Sequence, residues 1–433
     1  MDKFLDKLNK IVPAKWQWIL NHEGFRKYFK NTGWMFFGQM FSLLVSFFIG
    51  AWLARYLGPE NYGVFNYAIA FVGLFSFIAP LGVDAILSRD LVAHPEKRNE
   101  LMGTAFGLKM IGGILAFLLA SITAYFLETS YLVKIIVILF SLSFLVYPFN
   151  VIYTFFNSSV ESIKNVKAQI TAAFISSILK IFLIISGLGI IWLAVIYFLE
   201  IIIQYYGYFI IYKKSNFNFK DWNFNKSLSF NILKNSWLLM FASAATFIYL
   251  KIDQVMIGKM MGSVEVGLYA AAVKMADVWY FIPGIICGSL FPAIINAKKH
   301  SEDLYNKRLK NLYWFLFLFS VVIALPISFL SKPLIFLIFG SEYISAASVL
   351  SIYVWAGVGI FLGTAINQYL MSENMLRTIF VLNILTMIVN IVLNFYLIPI
   401  IGLNGSALAT LISYLIIPLS IFSFNNFFKN KIK

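Results

Sequence analysis

About twelve stretches of this chain are each long and apolar enough to cross a lipid bilayer, and no other feature restricts the fold as tightly. A helix crossing a hydrocarbon layer of about 30 Å needs roughly 20 apolar residues, and helix is the form that leaves no backbone group unbonded where there is no water. Spans are expected at 33–56, 62–86, 102–127, 131–157, 167–187 and 189–211, then at 236–261, 266–295, 311–331, 346–370, 376–399 and 405–426. With 61% hydrophobic and only 12% charged residues, a soluble fold is excluded. The expected class is an all-α membrane protein.

The linkers alternate in charge. Those at 87–101, 158–166, 212–235 and 296–310 carry lysines and arginines, whereas Leu57–Asn61, Glu128–Ser130, Gly187–Leu188, Gly262–Glu265 and Ile398–Gly405 are short and nearly free of basic charge, Lys332 being the main exception. Because cytoplasmic loops retain the basic residues, both termini are expected in the cytoplasm, which requires an even number of helices. The net charge of +15 is therefore read as a topological signal and not as a nucleic-acid surface. Residues 1–30 mix lysines with Phe4, Leu8, Trp16, Trp18 and Leu20 and lack the compact apolar core and cleavage site of a signal peptide. They are expected to form a cytoplasmic amphipathic arm on the membrane surface.

The linker 212–235 is the longest and most polar, and it divides the chain into an N-lobe, 31–211, and a C-lobe, 236–427, with a basic tail at 428–433. An internal repeat supports the division. Gly58-Pro-Glu-Asn-Tyr-Gly63 and Gly262-Ser-Val-Glu-Val-Gly267 match in glycine spacing, each before an apolar and aromatic stretch, and Pro80 and Pro283 follow at almost the same offset. Two six-helix lobes of the same orientation are parallel repeats about an axis along the membrane normal, enclosing a central cavity.

Three stretches of the first lobe resemble one family: Asn31-Thr-Gly-Trp-Met-Phe-Phe-Gly-Gln, Leu53-Ala-Arg-Tyr-Leu-Gly-Pro-Glu-Asn-Tyr-Gly63 and Leu81-Gly-Val-Asp-Ala-Ile-Leu-Ser-Arg89. Asp253-Gln-Val-Met-Ile-Gly258, Gly267-Leu-Tyr269, Asn394 and Gly402-Leu-Asn-Gly405 continue it in the second. The chain is similar to the polysaccharide-biosynthesis flippases of the multidrug/oligosaccharidyl-lipid/polysaccharide exporter superfamily. That resemblance implies a V-shaped exporter in the cell membrane that carries a polyprenyl-diphosphate-linked oligosaccharide to the outer leaflet by alternating access. It also implies coupling to a Na+ or H+ gradient and no other cofactor. Such a transporter is complete as a monomer, and association with glycan-assembly proteins is a further expectation.

Ionisable residues inside the spans cost a few kcal/mol each unless they face water or one another, so they are the first candidates for function. Arg55, Lys109, Lys180, Lys251 and Lys274 would supply a diphosphate with fixed cations along its route. Arg55 is near a helix end and could equally snorkel to the headgroups. Lys274 and Asp277, three apart on one face, could simply neutralise each other. For Lys109, Lys180 and Lys251, which have no acid at helical spacing, the bland alternative is a salt bridge between lobes. Glu200, Asp253 and Asp277 are candidates for ion coupling, with Asp253 and Asp277 favoured. Asn383, Asn390 and Asn394 share one face of the eleventh span, fit for hydrogen bonds between helices or for sugar contact.

The rival readings are a multidrug or metabolite cation antiporter on the same fold and, less favoured, a membrane glycan polymerase. The first predicts a cavity of acids and aromatics. The second needs a catalytic loop, but the linkers on the low-charge side are short, the chain has no DxD or GxxxxGK[ST] motif, and His22, His94 and His300 all lie in basic segments. Cys287, the one cysteine, sits in an apolar run and offers neither a disulfide nor a metal site. The chain is expected not to be an enzyme.

Overall fold

The computed structural model describes residues 23–420 and is all-α, with no strand among them. The arm at 1–30 lies mostly, and the tail at 428–433 entirely, outside the described residues. Eleven helical segments are long and apolar enough to cross a membrane. The first of these, Gly33–Gly73, is 41 residues long and holds two spans. Its helix, Glu23–Gly73, breaks at Gly58 (φ 70°, ψ 169°), a conformation open to glycine, just ahead of Pro59, which has no N–H to give the helix. Among the described residues this gives twelve spans, the second of them continued by the helix Val83–Ala93, and the chain is a multi-pass membrane protein.

Proline and glycine set the other interruptions. The expected span 62–86 stops at Gly73, and its chain turns through Leu81 (φ 50°) and Gly82 (φ 69°) before the helix Val83–Ala93. Pro80 sits in that turn. Pro283 occupies the first turn of Ile282–Lys298, directly after the helix Ser263–Asp277 ends, so the same break recurs in the second repeat. Pro148 interrupts the fourth span between Tyr131–Ser141 and Asn150–Ser158. By contrast, Pro292 and Pro326 are carried inside continuous helices. One element has no counterpart among the expected spans: the nine-residue helix Ser331–Phe339, far too short to cross, which stops at Gly340 (φ 93°).

Two compact units are formed. The first gathers residues up to Ile49 with Ile78–Leu127 and Ile138–Met240; the second gathers Gly50–Phe77, Glu128–Val137 and the chain from Phe241 onward. Val83, Leu87, Met102, Ile152, Phe156 and Tyr208 centre the first core. Against it pack Phe217, Phe219 and Trp222 of the linker 212–235, with Trp222 Nε1 donating to the Tyr212 hydroxyl at 2.9 Å. Gly103 and Gly107 permit this: the Asn223 backbone and the Phe224 ring occupy the space a side chain would need. The linker is thus anchored on protein by its half-buried aromatics, each contributing a part of the roughly 1.5–3 kcal/mol that full burial would give. Phe291, Leu316, Phe361 and Ile366 centre the second core. Outside both, Phe126, Ile185, Phe329 and Leu337 are more than 70% exposed, as suits a lipid solvent.

Candidate functional site

In the second unit, the helices Lys226–Met260 and Ser263–Asp277 bring four charges together. Asp277 interacts electrostatically with Lys251, Asp253 and Lys274. Asp253 is buried, and its Oδ2 accepts from the Tyr269 hydroxyl at 2.7 Å. Asp277 is exposed at the end of its helix, with Tyr280, Tyr353 and Tyr414 in its field. The buried hydroxyl of Tyr280 has no hydrogen-bond partner. Two lysines and two aspartates make the cluster neutral in sum. An anion arriving at the lysines competes with the carboxylates, which are then left to a cation.

Two glycines shape this cluster. A Cβ on Gly50 would overlap Lys274 Nζ, and one on Gly73 would stand 3.2 Å from Lys251 Cγ. The lysine side chains therefore lie along bare backbone of the first two spans. Sequence reading assigned no role to either glycine, since nothing in their local pattern announces a lysine two hundred residues away.

The asparagine face of the helix Leu376–Ile401 is a seam between helices. Asn394 Oδ1 accepts from Ser406 Oγ at 2.7 Å, Asn390 Nδ2 donates to Ser413 Oγ at 3.1 Å, and Asn383 Nδ2 donates to Thr246 Oγ1 at 3.3 Å. Both Asn390 and Asn394 are fully buried.

Arg55 donates to the carbonyls of Phe336, Leu337 and Ile338, at 2.9 Å for the last. Those are carbonyls of the last turn of Ser331–Phe339, the Phe336 oxygen also accepting from the Gly340 N–H at 3.0 Å, and there a cation meets the negative end of the helix dipole. Nearby, the Tyr343 hydroxyl donates to the Ala54 carbonyl at 2.8 Å. Glu128, buried at the start of the fourth span, accepts from the Tyr67 hydroxyl at 2.6 Å and pairs with Lys259 at 2.9 Å. Neither Glu128 nor Lys259 was singled out from the sequence, because both fall at span ends where snorkelling is the ordinary expectation.

The remaining candidates belong to the first unit and are paired there. Lys180 Nζ lies 2.6 Å from Glu200 Oε2, between the helices Ser162–Ile185 and Ile190–Lys214, and 3.3 Å from Ser176 Oγ. Glu200 is thus the partner of Lys180. Lys109 is fully buried and pairs with Asp84, with Asn150 Oδ1 at 3.1 Å. Asp84 lies inside the Leu81–Arg89 stretch that carries the family resemblance but was not among the expected site residues; an acid two residues past the Leu81–Gly82 turn is the signal that was there. Among the described residues no three His, Cys, Asp or Glu side chains are placed to hold a metal ion.

Comparison with known proteins fits this architecture. A protein of Shigella flexneri named as a candidate O-antigen transporter is 24% identical over 353 residues, 77% of this chain and 81% of its own length. Among solved structures, an inward-facing multidrug resistance MATE family transporter of the MOP superfamily superposes with a TM-score of 0.72 at 14% identity, covering 89% of this chain and 94% of that one. The lipid II flippase MurJ in an inward closed conformation also gives 0.72, at 16% identity over 90% of this chain and 87% of that one. Both likenesses establish the fold. The family described as polysaccharide biosynthesis protein matches residues 28–298, more than half of the sequence, and the chain belongs to that family.

Proposed function

We propose that this protein is a flippase that moves a polyprenyl-diphosphate-linked oligosaccharide from the cytoplasmic to the outer leaflet of the cell membrane by alternating access. The observation that carries the reading is the grouping of Lys251 and Lys274 with Asp253 and Asp277 at membrane depth. A diphosphate needs cations there, and a neutral cluster holds them without a standing excess of buried charge. The relationship to a candidate O-antigen transporter and the fold shared with a lipid II flippase support a lipid-linked cargo. The basic linkers support cytoplasmic termini.

The same geometry supports coupling to a cation gradient. When phosphate oxygens engage the lysines, Asp253 and Asp277 lose their counter-charges, and uptake of H+ or Na+ at these carboxylates becomes favourable. By linkage, cation binding then favours the anion in equal measure. One protomer suffices for this cycle, in contact with membrane lipids and working beside the proteins that assemble the glycan.

The test is flipping of lipid-linked oligosaccharide in proteoliposomes, comparing wild type with Lys251→Gln and Lys274→Gln. Loss of flipping in both, with the protein still inserted and folded, is the expected result. Wild-type protein that leaves the oligosaccharide lipid in place but exports organic cations would move the assignment to the cation antiporters.

A further inference from the structure

We propose that Asp84 is a saccharide-binding point in the first unit, its exposed oxygen edge accepting hydrogen bonds from hydroxyl groups of a neutral sugar; this rests on the flippase reading and adds a subsite to it. The carboxylate is fixed from several elements. Lys109 Nζ of the helix Arg98–Leu127 and Thr154 Oγ1 donate to Oδ1, the latter at 3.3 Å, while the Tyr147 hydroxyl donates to Oδ2 at 3.1 Å. Behind them, Asn150 accepts from Lys109 at 3.1 Å and shares a hydrogen bond with Tyr205. Lys109 Nζ also stands 5.3 Å from the centre of the Tyr147 ring.

What distinguishes this group from a plain structural ion pair is its asymmetry. The Lys109 side chain is 0% exposed while that of Asp84 is 39% exposed. Lys109 lies roughly 16 Å along its helix from Arg98 at about 1.5 Å per residue, well inside a hydrocarbon layer of about 30 Å. A carboxylate at that depth does not turn an open face to lipid, so its face meets water. A carboxylate offers about four acceptor positions, and the protein fills three.

The chemistry of the ligand follows from the charge. Lys109 already neutralises Asp84, so a further metal cation or ammonium gains little there, and a phosphate is repelled by the oxygen it would meet. Neutral hydroxyl donors fit the vacant acceptor position, and Tyr147 and Tyr205 add amphipathic rings of the kind a sugar face can use.

The experiment measures binding to the full chain in detergent by tryptophan fluorescence. Its probes are the lipid-linked oligosaccharide fraction extracted from the cells that make this protein and the same fraction after mild acid has cleaved the glycosyl–phosphate bond, releasing the glycan and leaving polyprenyl diphosphate. Because Asp84→Asn strands a buried lysine, the double variant Asp84→Asn with Lys109→Met is measured alongside it. We expect both variants to bind the intact lipid at least tenfold more weakly and the stripped lipid as wild type does. Equal weakening for both probes, or no weakening for either, overturns the assignment while leaving the flippase reading intact. Wild-type protein that binds neither probe overturns both.

Discussion

Gly63 and Gly267 pack backbone to backbone, and the contact is reciprocal. A Cβ on Gly63 would overlap the Ser263 carbonyl oxygen, and a Cβ on Gly267 would overlap the Pro59 carbonyl oxygen. Residues 59 and 263 are separated by the same offset as 63 and 267, so each repeat makes with the other the contact that it receives. The motif that revealed the duplication in the sequence is therefore also the place where the repeats meet, and glycine is needed there for closeness of approach.

Replacement of either glycine by valine is expected to destabilise the protein by about 1–3 kcal/mol, because neither carbonyl can move away cheaply. The two variants should lower the melting temperature in detergent by similar amounts, as the reciprocity requires. Gly288→Ala is the control: nothing lies within 4 Å of a Cβ there, and it sits inside the helix Ile282–Lys298. It should be neutral or stabilising by up to roughly 1 kcal/mol. A clear asymmetry between Gly63→Val and Gly267→Val would contradict the two-fold contact.

The pairing of Glu128 with Lys259 near Tyr67 yields a second expectation. Glu128 is buried, whereas the Lys259 side chain is 41% exposed, so the pair falls between surface and interior behaviour. Glu128→Gln or Lys259→Gln should each cost about 1–2 kcal/mol, part of which is the desolvation of the group left behind. The exchange Glu128→Lys with Lys259→Glu should recover some of that loss. A double-mutant cycle in thermal melts gives the coupling energy, and a value near zero would show that the two charges ignore each other.

Much of the fold was legible because bilayer thickness imposes a length on every span, and few sequences meet it by accident. The breaks were less legible. Pro80, Pro148 and Pro292 look alike in sequence, yet only the first two fall where the helix stops, since neighbouring Leu81 and Gly82, or the 3-10 turn Tyr147–Phe149, complete the interruption. The helix Ser331–Phe339 escaped notice because a six-residue apolar run is too short to register as a span. For the charges, the sequence located Lys109 and Lys180 but not their relationships. Helical spacing finds partners on one helix, and both lysines are paired across helices, with Asp84 and Glu200. The Lys274–Asp277 proximity, a matter of one helical turn, was readable in advance.

Acid should release one fastening on the basic-linker side of the second unit. Glu373 accepts from Lys298 at 2.6 Å and from the Tyr305 hydroxyl at 2.9 Å, and the lysine holds its carboxyl below the ordinary glutamate value of 4.5. A depressed folded-state pKa contributes stability that is fully present above 4.5 and is lost as pH falls through the lower folded-state value. The difference in melting temperature between wild type and Glu373→Gln should therefore be constant at neutral pH and shrink below pH 4.5. A difference that instead grew on acidification would reverse the assigned direction.

Gly50 tests whether the conformation of Lys274 matters to transport or only to packing. The atom that a Cβ at position 50 would strike is Nζ, the far end of a flexible chain, so Gly50→Ala can be relieved by moving the ammonium without disturbing backbone. Stability should then change little, since the propensity of alanine within a helix, about 0.5–1 kcal/mol better than glycine, offsets the displacement. Flipping should fall roughly tenfold, the equivalent of about 1.4 kcal/mol in the barrier, because the displaced cation no longer meets Asp277 and the incoming phosphate in the same geometry. Gly73→Ala should do less, since its Cβ would only touch Lys251 Cγ at 3.2 Å. The decisive comparison sets flipping against the melting temperature of the same variant. If the glycine acts through that ammonium, flipping falls while the melting temperature holds, and a melting temperature that falls together with flipping would assign Gly50 to helix packing alone.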